Sequence, residues 1–426
     1  MKTTIALLVA LVCWGMARAT GDTLYLQQCR EKALAQSPLQ QQKLLSLTKM
    51  QLQDQNLKAA WLPQFSMQGQ MVYLSDVVTF PKIGIPGEGF PEIPHFQYQL
   101  AGRISQNIYD GGATRLRREM NALDQQLQQE QLEVELYPIH EVINQLYFGV
   151  LMLQARADVL KEARLALQER LKVIRAGIRH GTVLESQAEL LEKELVKIDQ
   201  QLDQLATDRQ ASLNMLGAWI GRQDMQQVVL LPPPEAPFDS HTAEIQRPEQ
   251  RLFELQKNKI QLGLQLSRVK YLPKFGAFVN GGIGQPNPLN FLETNTQPFY
   301  QLGVSFQWSP PSWKEHSRQK QIAQLDQQAV DARLAHFDQQ LHISLIREQE
   351  RVASYLRQIE LDQRMISLQQ AIVKRMAAGV ENGTTTPTDY LIELHQLSQA
   401  QLQQKIHRLL YLQALETLRI RMGANE

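Results

Sequence analysis

Trp61-Leu62-Pro63-Gln64-Phe65 returns later in the chain as Tyr271-Leu272-Pro273-Lys274-Phe275. Two further echoes follow in the same order. Asn107-Ile108-Tyr109-Asp110-Gly111-Gly112 is answered by Gln307-Trp308-Ser309-Pro310-Pro311, and Ala176-Gly177-Ile178-Arg179-His180-Gly181-Thr182 by Ala378-Gly379-Val380-Glu381-Asn382-Gly383-Thr384. All three pairs stand about 200 residues apart, so the chain reads as two copies of one unit. The copies occupy 20–223 and 247–426, with the proline-rich stretch 224–246 as the linker between them.

Each copy changes its hydrophobic period partway. Phe65, Met67, Met71 and Tyr73 alternate with Gln64, Ser66, Gln68 and Gln70, and Phe96, Tyr98, Leu100, Ile104 and Ile108 alternate with Gln97, Gln99, Arg103, Ser105 and Asn107. In the second copy Tyr300, Leu302, Val304, Phe306 and Trp308 alternate with Gln301, Ser305 and Gln307, and the glycine-rich run 275–283 is a weaker example. Alternation at period 2 predicts strands, and about ten residues is the length a tilted strand needs to cross a bilayer. Trp61, Tyr73, Tyr98, Tyr271, Tyr300 and Trp308 lie at or near the strand ends, where an interfacial aromatic girdle would sit. The segments 75–95 and 284–298, rich in proline with glycine or asparagine, read as exposed loops, so each copy folds one hairpin, at about 63–108 and 273–308.

The remainder reads as helix. Pro138 is the one proline between Gly112 and Gly177, and none occurs from Ser312 to Gly379. Some 65 helical residues would reach on the order of 100 Å. Leu184, Ala188, Leu191, Leu195, Ile198, Leu202 and Leu205 follow a heptad spacing, and Leu116, Met120, Leu123 and Leu127 begin another. Gly177 to Gly181 and Gly379 to Gly383 are expected to be helix-to-helix turns, with glycine at positive φ stopping one helix and Thr182 or Thr384 near the start of the next.

Composition narrows the setting. Lys2, an apolar run from Ile5 to Met16 and Ala17-Arg18-Ala19 predict a secretory signal peptide over 1–19, too short in its apolar part to span a membrane. Its removal takes Lys2 and Arg18 and no acid, so the formal charge goes from +1 to −1, and nothing favours nucleic acid. Cys13 leaves with it and Cys29 alone remains, so no intramolecular disulfide is available. No cofactor, metal or catalytic motif is found: the nine histidines form no His-Glu-x-x-His, and no phosphate-binding loop or nucleophile elbow is present.

Four strands in lipid cannot close, and an unpaired edge there costs several kcal/mol per group, so the chain is expected to supply a share of a barrel built by several copies. Apolar residues would face lipid, and Gln and Ser a polar pore. A soluble periplasmic coiled-coil adaptor or scaffold is the competing reading, but it needs no period-2 runs with aromatic ends.

With these residues in view, the sequence resembles the TolC-like outer-membrane efflux proteins. The likeness rests on Leu24-Tyr25-Leu26-Gln27-Gln28-Cys29 with Ala33-Leu34 and Ser37-Pro38, on Trp61-Leu62-Pro63-Gln64, on Tyr109-Asp110-Gly111-Gly112 and on the Gly-x-x-x-Gly turn of each copy. It implies a mostly α fold with a small transmembrane β part, trimerising into a twelve-stranded β-barrel and a periplasmic α-barrel. It further implies a porin-like conduit in the outer membrane of a Gram-negative bacterium, embedded in outer-membrane lipid and working with a periplasmic adaptor and an inner-membrane transporter. Gly177, Gly181, Thr182, Gly379, Gly383 and Thr384 would form the tips that dock the adaptor, and Asp389 an acidic ring at the periplasmic entrance. The family's tip latch is not reproduced: the matching places hold Val380, Thr385 and Gln187, with Ile392 at a second ring position.

Overall fold

A computed structural model describes residues 23–79, 91–180, 183–235, 245–310, 314–382 and 384–424. The signal peptide over 1–19, Gly181, Thr182, Gly383, Pro311 and the middle of the linker lie outside the described residues. In chain order the elements are β1 (Thr23–Leu24), α1 (Leu26–Gln36), α2 (Leu39–Ala59), β2 (Gln64–Tyr73), β3 (Phe96–Tyr109), α3 (Ala113–Leu136), α4 (Pro138–Arg179), α5 (Glu185–Ile220), β4 (Val229–Leu230), α6 (Pro248–Val269), β5 (Lys274–Gln285), β6 (Gln297–Gln307), α7 (Glu315–Glu381) and α8 (Pro387–Met422). The described residues form two compact units, one drawn from 43–131 and 251–334, the other from 23–42, 132–250 and 335–424, so each unit draws on both halves of the chain.

The strand-bearing unit holds an antiparallel sheet in the order β2-β3-β5-β6. β2 and β6 are its edges, and among the described residues the sheet does not close. In the helices of this unit, Ala113 and Leu116 of α3 pack on Val269 of α6. The turn from β3 into α3 is made by Asp110-Gly111-Gly112. The Asp110 carboxylate accepts from the amides of Gly112 at 2.9 Å and Thr114 at 2.7 Å, satisfying donors that a helix start leaves open. Gly111 and Gly112 take φ of 71° and 85°, and a Cβ on Gly111 would fall 2.9 Å from Leu272. Only glycine fits that turn without strain.

The helical unit has its core where α1, α4, α5 and α8 meet. Cys29, Ile143, Tyr147, Phe148, Leu213 and Leu216 are fully enclosed there, and burial pushes the Cys29 thiol up to about 11. The Tyr147 hydroxyl shares its single hydrogen between the carbonyls of Leu24 at 2.9 Å and Leu231 at 2.6 Å. That holds the short parallel pair β1–β4 against the core. Met225, Val228 and Leu230, within the stretch expected to be linker, are buried in the same cluster.

A second cluster follows the heptad seam: Ala188, Leu191 and Ile198 of α5 pack on Leu167, Leu171 and Ile174 of α4, with Leu195 and Leu202 partly buried beside them. Leu184 departs from the seam, since it is the residue before α5 and stands exposed. The stretch from 112 to 177, read as helix with one proline in it, is two helices. Pro138 has no amide hydrogen to continue the ladder and instead takes the first position of α4, where none is required. α7 meets no proline and runs unbroken for 67 residues.

Candidate functional site

The register sorts the four strands into two faces of opposite character. Phe65 pairs with Ile104, Ile104 with Val279 and Val279 with Leu302, placing these side chains in one row on one face. Met67, Met71, Tyr73, Phe96, Tyr98, Leu100, Ile283, Tyr300, Val304 and Phe306 fall on that same face by alternation. It is a large apolar surface, interrupted by Gln106 toward the helix end and Gln285 toward the loop end, with Tyr300 77 % and Leu302 73 % exposed. The other face carries Gln64, Ser66, Gln68, Gln70, Gln97, Gln99, Arg103, Ser105, Asn280, Gln301 and Ser305. A face this apolar and this exposed marks a surface meant for a non-aqueous neighbour.

Aromatic residues border the apolar face at both ends. At the loop end stand Tyr73, Phe96 and Tyr98; at the helix end Tyr109 and Phe306 flank Phe275, and Trp308 donates from its indole to the Tyr271 carbonyl at 3.1 Å. Tyr98 and Tyr109 are eleven residues apart on β3, about 35 Å along the strand. A tilt of about 45° would bring this to roughly 25 Å, the height of a lipid-facing band in a transmembrane barrel.

The helix tips are built differently from the sequence expectation. Gly177 and Gly379 lie inside the last turns of α4 and α7, and neither takes positive φ. What Gly379 supplies is room. The chain folds back so closely that a Cβ there would meet the Thr385 side chain, while the Gly379 carbonyl accepts from the amides of Thr384 at 2.8 Å and Thr385 at 3.2 Å. The Thr384 hydroxyl donates to the same carbonyl at 3.1 Å.

Asp389 stands exposed in the first turn of α8. Its amide donates to the Thr386 hydroxyl oxygen at 3.2 Å, and that hydroxyl donates to the Asp389 carboxylate at 2.6 Å. Thr386 therefore caps α8, and the Asp389 carboxylate holds the capping hydroxyl in place.

Arg170 of α4 is a tip residue that the sequence does not single out. Its guanidinium donates to the Ala377 carbonyl at 3.4 Å and lies 5.3 Å from the Tyr390 ring, joining α4 to the end of α7 and the start of α8. An arginine at a helical position normally reads as solvated surface, so no pattern marks it. Beside this contact a groove of about 370 Å³ runs between α4, α5 and α8, walled by Leu167, Leu190, Leu391 and Ile392 and bordered by Lys193 and Lys197.

No family model and no curated relative matches the sequence. Solved structures match it along nearly its full length. The outer membrane protein VceC of Vibrio cholerae is 11 % identical with a TM-score of 0.66, over 93 % of this chain and 96 % of that one. The CmeC outer membrane channel of Campylobacter jejuni is 13 % identical with a TM-score of 0.65, over 94 % and 86 %. The open-state MtrE outer membrane channel of Neisseria gonorrhoeae is 13 % identical with a TM-score of 0.62, over 93 % and 88 %. The chain has the fold of these outer-membrane channel proteins, as the resemblance to the TolC-like family implied.

Proposed function

We propose that the chain is one subunit of a trimeric outer-membrane channel that exports small molecules or polypeptides from the periplasmic side. The observation that carries the reading is the two-faced sheet with two open edges. Lipid would cover the apolar face, the Gln-rich face would line a polar pore, and two further copies would satisfy β2 and β6 in a twelve-stranded barrel. The helical unit then belongs to the periplasm, where the turns at Gly177–Thr182 and Gly379–Thr384 offer the docking surface for an adaptor coupled to an inner-membrane transporter. Such an assembly is a tripartite efflux or type I secretion system. Asp389 is assigned to the entrance, three copies making an acidic ring that favours cations.

A soluble adaptor or scaffold would also use long helical hairpins, but it has no use for an exposed apolar sheet bounded by aromatics. Fractionation decides between them. A heat-modifiable trimer in the outer-membrane fraction, conducting ions in a planar bilayer, is the expected result; a monomer in the periplasmic extract refutes the channel.

A further inference from the structure

The pore-facing side of the sheet is not electrically neutral. Among the residues of β2, β3, β5 and β6 the charged ones are Arg103 and Lys274, both cationic and both on the Gln-rich face. Lys274 sits at the helix end of β5, opposite Gln307. Arg103 lies near mid-strand, opposite Asn280, which is in turn opposite Gln301.

Arg103 is also placed by a specific support. Its guanidinium stands 4.9 Å from the centroid of the Phe278 ring, on the same face of the neighbouring strand. Phe278 lies across Gly303 of β6, where a Cβ would fall 2.9 Å from the ring. The missing side chain at Gly303 lets the aromatic ring rest on the sheet, and the ring in turn carries the guanidinium along the wall. Arg103 remains exposed in this arrangement. A cation held against a low-dielectric wall and open to water acts on every ion that passes it.

We propose that Arg103, supported by Phe278 over Gly303 and assisted by Lys274, is a specificity-determining residue that makes the membrane segment favour anions. The inference rests on the channel reading above, because it is the threefold repetition that turns one guanidinium into a ring. It also sets the barrel against the acidic entrance assigned to Asp389, so that the two ends of one conduit select opposite charges.

The test uses the purified full-length protein in planar bilayers, with the reversal potential measured in a KCl gradient for wild type, Arg103→Gln, Arg103→Lys and Lys274→Gln. Three charges on the order of 10 Å from the axis, screened by about 0.1 M salt, change the cation-to-anion permeability ratio by about threefold. Arg103→Gln is expected to raise potassium over chloride permeability by about that factor, and Arg103→Lys to stay near wild type. Lys274→Gln, at a strand end, is expected to shift the ratio in the same direction and keeps the test open if Arg103→Gln does not assemble. An unchanged ratio in an assembled, conducting Arg103→Gln or Lys274→Gln channel overturns the proposal, as does an Arg103→Lys channel that shifts as far as the glutamine variant. A wild-type protein that forms no conducting trimer defeats the channel reading instead.

Discussion

Replacing Leu302 by arginine, and separately its neighbour Gln301, asks whether the two faces of the sheet really meet different solvents. Leu302 sits at the middle of β6 and is exposed in the single chain, touching little that a new side chain would disturb. Any penalty must come from what lies outside the protein. In lipid, an arginine at the midplane of a barrel strand costs about 2–4 kcal/mol, so three copies per ring would cost about 6–12 kcal/mol. On the opposite face Gln301 stands two strands from Arg103, roughly 9.5 Å away. Like-charge repulsion at that distance in water is only about 0.4 kcal/mol. The two substitutions add the same side chain one residue apart, yet they should differ several-fold in effect. The assay is the yield of heat-modifiable trimer in the outer-membrane fraction, backed by the urea midpoint of the protein refolded into lipid vesicles. Leu302→Arg should lose most of its trimer, and Gln301→Arg should stay close to wild type. Equal losses, or the reverse order, would refute the assignment of faces.

Asp389→Ala should lower cation selectivity in single-channel recordings, and unchanged selectivity would leave the residue only its role of holding the Thr386 capping hydroxyl. Within the helical unit, Arg30 and Glu416 form a buried pair at 2.9 Å, with Asn144 accepting a weaker bond from Arg30 at 3.4 Å. Removing one partner strands the other, so Glu416→Ala should lower stability by about 3–5 kcal/mol, seen as a shift in urea midpoint, whereas Arg30→Met with Glu416→Leu should recover part of it; a double variant no better than the single one refutes this account. His140 is held down to about 4 by burial first and then by the charges of Arg30 and Arg247. The unfolded chain takes up this proton near 6.5 and the folded chain does not, so the histidine's contribution is complete above that value and erodes as pH falls toward 4. The thermal midpoint of wild type should therefore fall across that window more than that of His140→Gln, and parallel curves would remove His140 from the explanation.

The strands are legible in the sequence because the two faces of the sheet differ in polarity, which appears as alternation in Phe65, Met67, Met71 and Tyr73 and in Tyr300, Leu302, Val304 and Phe306. The exceptions are instructive. Phe278 and Phe299 lie on the polar face, where contacts local to that face, such as Phe278 over Gly303, override the pattern. Helix ends are less legible. The glycines at 177 and 379 suggest positive φ, but the left-handed glycines among the described residues are Gly111, Gly112, Gly221 and Gly423. At Gly379 the constraint is a close approach made by residues five and six positions later, and composition does not reveal how tightly a chain folds back. Arg30, Asn144, Arg170 and Glu416 go unmarked for a related reason. A polar residue on a long helix reads as water-facing until a second helix is known to cover it.

The open edges at β2 and β6 have a genetic consequence. In the trimer proposed above, closure would require β6 of one copy to meet β2 of the next, so each ring would depend on every member presenting two sound edges. A proline placed in mid-β6 would spoil one junction while leaving the rest of its own chain foldable. Expressed at equal level beside the normal copy, it would leave only about one ring in eight free of defective members if the three assemble at random. Such an allele would be dominant, whereas a substitution confined to the Gln-rich face would dilute in proportion to its dose.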